Sequence, residues 1–439
     1  MLETIRNAFK IKELRSKIFF TLAMLVVIRL GSTIPAPGIN LVAFREWYNS
    51  LIAGSDFGGI MNMFTGGSFE NFSILALNIS PYITSSIIIQ LLTIAIPKLE
   101  EMQRDGEDGR KKLTQWTRIV TIVLAIVEAT AMSVGFYRQG IMVSQDWRYG
   151  LTIVAALTCG SAFLMWIGER ITENGVGNGI SVVLAYNIIA RMPSDIGNLF
   201  DQFIAGKPIA RAVVAGIIIL AIIIGMVILV ILLNNAERKI PVQYSQKIQG
   251  RRLVGGAASE IPLKVNTAGV MPIIFGMSLF QFPSVITQLF GISTAGAWGE
   301  VLKYLSQSNW CVPSQIKYTL GMLVYIALLV FFAYFYTSIT FNPLEVADNM
   351  KRQGGFIPGI RPGKPTSDYL SNILNYIIFI GAIGLIIIGV LPFIFNGVFG
   401  ASVSFGGTSL IIVVSVVVET LRAIESQMTV RNYKGFLED

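Results

Sequence analysis

The chain contains no histidine. That one absence removes histidine metal ligands, histidine general bases and histidine proton relays. Two cysteines are present, Cys159 inside an apolar run and Cys311 in a polar one, so no disulfide framework follows. Charge is also scarce: Asp, Glu, Lys and Arg make up 14% of the 439 residues. A nucleophile–base–orienter set without histidine would need a Ser–Lys variant, and no lysine lies inside an apolar run to serve one. Phosphate motifs fail too. The stretch 358–365 misplaces its first glycine and puts Pro365 after Lys364, where a hydroxyl should bind magnesium. Gly175-Val176-Gly177-Asn178-Gly179 lacks the third glycine of a dinucleotide fingerprint and follows no strand. The expectation is a protein that is not an enzyme and that holds neither metal nor cofactor.

What is abundant is apolar sequence. The chain is 53% hydrophobic with a mean hydropathy of +0.64, the composition of a polytopic membrane protein. Ten apolar runs stand out, at roughly 18–34, 74–96, 118–137, 151–167, 179–203, 212–233, 268–290, 318–341, 373–395 and 409–418. Each is near the length a bilayer needs, with the fifth and tenth marginal. Arg191-Met192-Pro193 breaks the fifth early, with continuation toward Phe203 left open. Residues 1–17 carry Arg6, Lys10, Lys12, Arg15 and Lys17 between apolar positions, which suits a basic amphipathic helix on the membrane surface. No small-residue cleavage site follows, so no cleaved signal peptide is expected. The net charge of +8 gathers at the amino end, in the loops after the even-numbered spans and in the tail. The positive-inside rule places both termini and the long loops 234–265 and 342–372 in the cytoplasm.

The stretch from Gly54 to Pro97 is unlike the rest. Gly58, Gly59, Gly66 and Gly67 permit tight backbone approach, while Phe57, Ile60, Met61, Met63 and Phe64 favour burial. Non-helical backbone is tolerated at membrane depth only inside protein or against a cavity. Two placements fit: folded back into the mouth of a cavity, or lying on the membrane surface.

Ion-coupled transporters carry ionisable residues inside their spans. Here only Glu128 lies mid-span, in the third, with Arg29 near one end of the first. Neutral polar residues recur instead, among them Asn78, Ser85, Gln90, Asn187 and Asn266. Such residues bond between helices or line water.

Several motifs carry a resemblance. They include Ile34-Pro35-Ala36-Pro37-Gly38-Ile39, Pro81-Tyr82-Ile83 with Ser86 to Leu92, and Gly177-Asn178-Gly179-Ile180-Ser181. Gln249-Gly250-Arg251-Arg252, Pro262 to Asn266, Phe341-Asn342-Pro343, Gly359 to Gly363 and Phe405 to Ser409 follow in order. Over nearly its whole length the chain resembles the SecY family of protein-conducting channels, in its bacterial form.

The resemblance implies an all-α polytopic membrane protein of ten transmembrane helices in two pseudo-symmetric five-helix halves, 18–205 and 206–424, followed by a cytoplasmic tail. It implies a re-entrant plug within 54–72 made by Asp56, Phe57, Gly58, Gly59, Ile60, Met61, Met63, Phe64, Gly66 and Gly67. A pore ring maps onto Ile79, Ile83, Leu184, Ile188, Ile274 and Ile412. A lateral gate falls between spans two and three and spans seven and eight, with Thr84, Gln90 and Asn266 as its polar members. Lys247, Arg251, Arg252, Lys351, Arg361 and Lys364 would dock a motor or the ribosome, although positive-inside topology alone would also make these loops basic. The partners implied are small membrane subunits resembling SecE and SecG, an ATPase resembling SecA, the ribosome, unfolded polypeptides with their signal sequences, and lipid. The location implied is the bacterial plasma membrane. A solute transporter is the rival, and the emptiness of the spans argues against it.

Overall fold

A computed structural model describes residue 6 and residues 8–54, 65–144, 146–244, 247–249, 252–254, 258–290, 296–399 and 407–435. The first helices are α1 (Lys12–Thr33) and α2 (Leu41–Gly54). Next come α3 (Ser80–Ala95), α4 (Pro97–Arg104), α5 (Glu107–Gln139), α6 (Trp147–Asn174), α7 (Gly179–Phe203) and α8 (Ile209–Asn235). Strands β1 (Glu237–Tyr244), β2 (Lys247–Gln249), β3 (Arg252–Val254) and β4 (Ala258–Lys264) follow. The chain continues through α9 (Met271–Phe290), α10 (Ala297–Leu305), α11 (Leu320–Thr340), α12 (Pro343–Arg352), β5 (Gly355–Phe356), α13 (Lys364–Phe399) and α14 (Gly407–Gly435).

Local chemistry sets most of the boundaries. Pro81, Pro97 and Pro343 stand in the first turns of α3, α4 and α12, where a missing N–H costs nothing. The carboxamide of Asn178 accepts from the N–H groups of Ile180 and Ser181 to cap α7, and Asn342 caps α12 in the same way. Pro97 holds Ile96 extended, and the chain turns by 106° between α3 and α4. Among the described residues five helices are long and apolar enough to cross a membrane, or six with that bent pair taken as one span. Helices α1, α7, α9 and α14 have 22, 25, 20 and 29 residues. Each is long enough to cross or nearly cross at 1.5 Å per residue; charged residues stand within α1, α7 and α14 but not within α9.

Several boundaries differ from the sequence expectation. The second span becomes helical only at Ser80, because Phe72 and Asn78 take φ values of +40° and +52° and keep residues 73–79 out of a helix. Gly160 of α6 lies directly against the Ile74 carbonyl, so that this non-helical turn packs tightly on α6. The fifth span does run on through Pro193 to Phe203, the longer of the two ends the sequence left open. The third, ninth and tenth spans, in α5, α13 and α14, belong to helices that run well past their apolar runs into polar sequence.

The polar stretch after α8 holds a small sheet. Its order is β4-β1-β5, with Ile240 opposite Ile261 and Tyr244 opposite Gly355, all antiparallel. Alternate residues Ile240 and Val242 are buried, as the twofold repeat of a strand requires. Because β5 belongs to the loop between α11 and α13, the two long basic loops share one sheet.

The helices pack in two groups. One contains α1, α3, α5, α6 and α7; the other contains α8, α9, α11, α13 and α14. They meet where α5 touches α9 and where α7 touches α14 and α8. The second group has its own core, in which Trp310 is fully buried against Phe280, Tyr325 and Phe393.

Candidate functional site

At the junction of the two groups lies a separate apolar cluster. Ile79 closes the turn before α3 and Ile83 stands in its first turn. Leu184 and Ile188 lie four apart on α7 and so share a face. Ile274 comes from the start of α9 and Ile412 from the start of α14. The structure brings all six together: five are 1–9% exposed within one cluster, and Ile83 packs on it half-buried. In lipid the alternative to this packing is another apolar surface, so close contact rather than water exclusion holds the cluster. Its aliphatic side chains offer an ion no partner.

The segment leading into Ile79 is pinned by polar contacts. Arg29 of α1 donates from Nη1 to the Gly66 carbonyl at 3.2 Å. Gly66 has φ +63°, and its backbone lies against Asn187 of α7. The Asn187 amide donates to Asn78 Oδ1 at 3.1 Å, and Ser161 donates to the Asn78 carbonyl at 3.1 Å. Asn78 tolerates its left-handed backbone better than most residues. Arg191 and Glu70 form an ion pair at 3.5 Å. These contacts join the Gly66–Asn78 stretch to α1, α6 and α7. The sequence signalled them only as neutral polar residues inside spans.

Of the residues assigned to a plug, Asp56, Phe57, Gly58, Gly59, Ile60, Met61, Met63 and Phe64 lie outside the described residues; Gly66 and Gly67 lie within them. Both flanks of that interval share one aromatic cluster. Phe44 of α2 is fully buried, with its ring centroid 4.9 Å from that of Phe72, 6.0 Å from Phe69 and 5.7 Å from Phe136. Phe44 and Tyr48 before that interval and Phe69 and Phe72 after it thus belong to one cluster.

The three polar residues assigned to a gate are not joined. Thr84 is exposed and Gln90 half-buried, both on α3. Asn266 is buried, but its amide donates to Asn234 Oδ1 at 3.0 Å, and Asn234 donates to Ser415 at 2.7 Å. That chain ties the approach to α9 to α8 and α14, within its own group. The contact between groups on this side is α5 against α9.

The basic loop residues are placed as follows. Lys247 and Arg252 lie on the paired strands β2 and β3, and Arg251 lies outside the described residues. Lys351, Arg361 and Lys364 are exposed. The loop that carries Arg361 is braced from behind, because the fully buried Thr366 hydroxyl donates to the Arg361 carbonyl at 2.8 Å. At the opposite end of the molecule, Glu300 accepts from Lys303 at 3.2 Å and from Lys317 at 3.5 Å. The Lys303 hydrogen bond, helped by both ammonium charges, holds this carboxyl below the ordinary carboxylate range.

Two helix groups that meet at a buried aliphatic cluster, with a pinned segment beside it, fit a polytopic membrane protein of the channel class. Comparison with known proteins agrees. A model of the SecY family matches residues 73–421. The chain is 42% identical to the protein translocase subunit SecY of Streptomyces scabiei and 43% identical to that of Halalkalibacterium halodurans, each over 100% of both chains. The chain belongs to the SecY family. Its fold is similar to that in a solved structure described as a protein conducting channel, with a TM-score of 0.62 at 18% identity over 94% of this chain and 92% of the other. It is likewise similar to Sec61 in a canine ribosome-channel complex, with a TM-score of 0.59 at 17% identity over 94% and 92%.

Proposed function

We propose that this chain is a passive protein-conducting channel that passes unfolded secretory polypeptides across the membrane and releases apolar segments sideways into lipid. The observation that carries this reading is the single buried cluster formed by Ile79, Ile83, Leu184, Ile188, Ile274 and Ile412, drawn from both helix groups. Closed, such a ring excludes ions by dewetting. Opened, it collars an extended chain without reading its sequence, because branched aliphatic groups make no directional bonds.

The segment 54–72 is the plug, held at its exit by Arg29 and Asn187 and at both flanks by the Phe44 aromatics. The lateral exit opens where α5 meets α9, with Thr84 and Gln90 on the adjoining α3. Residues 18–205 and 206–424 act as the two halves, and the short link between α7 and α8 is their hinge. The termini and the shared sheet face the cytoplasm of a bacterium, across its plasma membrane, because that end carries the basic loops. Arg361, braced by Thr366, docks an ATPase motor resembling SecA. Lys247, Arg251, Arg252, Lys351 and Lys364 contribute charge toward the motor or ribosomal RNA, and small subunits resembling SecE and SecG complete the assembly.

The test is reconstitution of the full complex in proteoliposomes with motor and ATP. A radiolabelled secretory precursor becomes protease-protected with the native chain and is left digested with Arg361→Glu. Equal protection by both removes the docking role of Arg361, and no protection by the native complex contradicts the channel itself.

A further inference from the structure

A groove of about 550 Å³ lies between α11 and α13, at the end of both helices that adjoins the loop 342–372. Phe331, Phe335, Leu374 and Ile378 supply apolar wall, and Ser371 and Asn375 supply polar wall. The Tyr334 hydroxyl bridges the two helices by donating to the Asn375 carbonyl at 3.4 Å. Beyond that bond, away from the loop, the lining is Phe331 and Ile378 alone; its polar side chains stand level with the bond or nearer the loop.

Both rims of the groove continue into exposed apolar surface. Val324, Phe331 and Phe335 share one face of α11, and Asn375, Phe379 and Ile383 share one face of α13; Val324, Phe331, Phe379 and Ile383 are exposed. An empty groove forfeits packing contacts, so something fills it. The lining extends from Phe331 to Phe341 and from Ser371 to Ile378, about 10–15 Å at 1.5 Å per residue. That is the depth of one leaflet in a hydrocarbon core about 30 Å thick: an acyl chain matches it, and a spanning helix does not. Two polar groups remain for a ligand. The Thr337 and Ser338 hydroxyls donate to the Ala333 and Phe335 carbonyls. Among the described residues, the Ser371 hydroxyl and the Asn375 carboxamide make no hydrogen bond within the protein. Lys364 and Asp368, both exposed, precede Ser371 by seven and three residues and so share its face of α13. One cation and one anion together suit a zwitterionic headgroup better than an anionic one.

We propose that this groove holds one phosphatidylethanolamine molecule from the leaflet beside the loop 342–372. One acyl chain lies against Phe331, Phe335, Leu374 and Ile378. Ser371 and Asn375 donate to the ester carbonyls, and the phosphate and ammonium meet Lys364 and Asp368. Calling that leaflet cytoplasmic rests on the orientation proposed above; the lipid site itself does not.

The test uses the full complex in a maltoside detergent, with phosphatidylethanolamine and phosphatidylglycerol supplied in equal amounts and retained lipid read by native mass spectrometry. The native chain is expected to keep one phosphatidylethanolamine in preference to phosphatidylglycerol. So is Ile387→Trp, a control at an exposed position farther along α13. Ser371→Trp fills the groove and is expected to abolish retention. Asn375→Leu removes the carboxamide at an exposed position, which spares the fold, and is expected to lower retention several-fold. In a second arm, phosphatidylethanolamine with a photoreactive group on one acyl chain is expected to label peptides 331–341 and 371–378 of the native chain and to leave those of Ser371→Trp unlabelled. Retention unchanged by Ser371→Trp and Asn375→Leu overturns the proposal, as does equal loss from the Ile387→Trp control. Equal retention of the two lipids by the native chain overturns it as well. A photoreactive residue at Ser338 that captures a small membrane subunit in place of lipid gives the groove to a protein and likewise overturns it.

Discussion

Replacing Gly66 with alanine, and separately Gly67 with alanine, separates two contributions to the seating of the stretch proposed as the plug's exit. Both glycines have positive φ, +63° and +86°. An L-residue in the left-handed region costs about 1–2 kcal/mol, and this applies at both sites. Packing differs. A Cβ on Gly66 would meet the Asn187 Cα and carbonyl oxygen at 3.0 Å, whereas a Cβ on Gly67 meets nothing within 4 Å. The obstacle at Gly66 is backbone in the middle of α7, which cannot turn aside as a flexible side chain would. Overpacking of this kind costs about 1–3 kcal/mol more. At about 1.4 kcal/mol per factor of ten, Gly66→Ala is expected to raise the open population of the resting channel by about tenfold beyond Gly67→Ala. The assay is ion conductance of the full complex in planar bilayers without precursor or motor, read as open probability at fixed voltage. Equal leak from the two variants, or more from Gly67→Ala, would refute the claim that contact with Asn187 seats this segment.

Three further outcomes follow from the geometry. Ile188→Asn puts a carboxamide into the aliphatic cluster, where it offers ions and water a partner; iodide or chloride efflux from proteoliposomes is expected to rise several-fold, while a substitution at lipid-exposed Ile217 leaves it unchanged. Thr366→Val removes the bond to the Arg361 carbonyl and costs roughly 1 kcal/mol of loop order. Stimulation of the motor's ATPase should fall though Arg361 remains, and a native-like value would show that the brace is idle. Glu300 has a lowered carboxyl pKa, so the stability it contributes is present above the ordinary value of 4.5 and is lost as pH falls through its lowered value. Thermal melting of the native protein should fall toward that of Glu300→Gln across this acid range, and parallel curves would contradict the assignment.

The sequence was most legible where one physical rule dominates. Long apolar runs such as 212–233 marked α8 to within three residues at either end, because nothing competes with helix for a backbone in lipid. Asn178 and Asn342 were readable as caps only once a helix followed them. The family motifs picked out six aliphatic positions that no periodicity distinguishes from ordinary span packing; their convergence depends on how four helices cross. Polarity misled in two places. The basic stretch after α8 read as loop, yet alternation of Ile240 and Val242 already carried a strand's twofold repeat. Asn266 was assigned to a seam between the groups because it is polar and near the seventh span, but its partner Asn234 lies on α8, a pairing that sequence separation hides. The Arg29–Gly66 bond was out of reach for the same reason, since a backbone carbonyl leaves no mark in composition.

The most direct measurement is site-specific photocrosslinking of a stalled secretory precursor. A photoreactive residue at Ile83, half-buried on the aliphatic cluster, is compared with one at Glu425 near the end of α14. A strong precursor adduct at Ile83 and none at Glu425 is the expected result, and it would place the moving chain inside the ring. A complex that transports normally yet gives no adduct at Ile83 would mean that the polypeptide passes elsewhere, and the six residues would then be packing and nothing more.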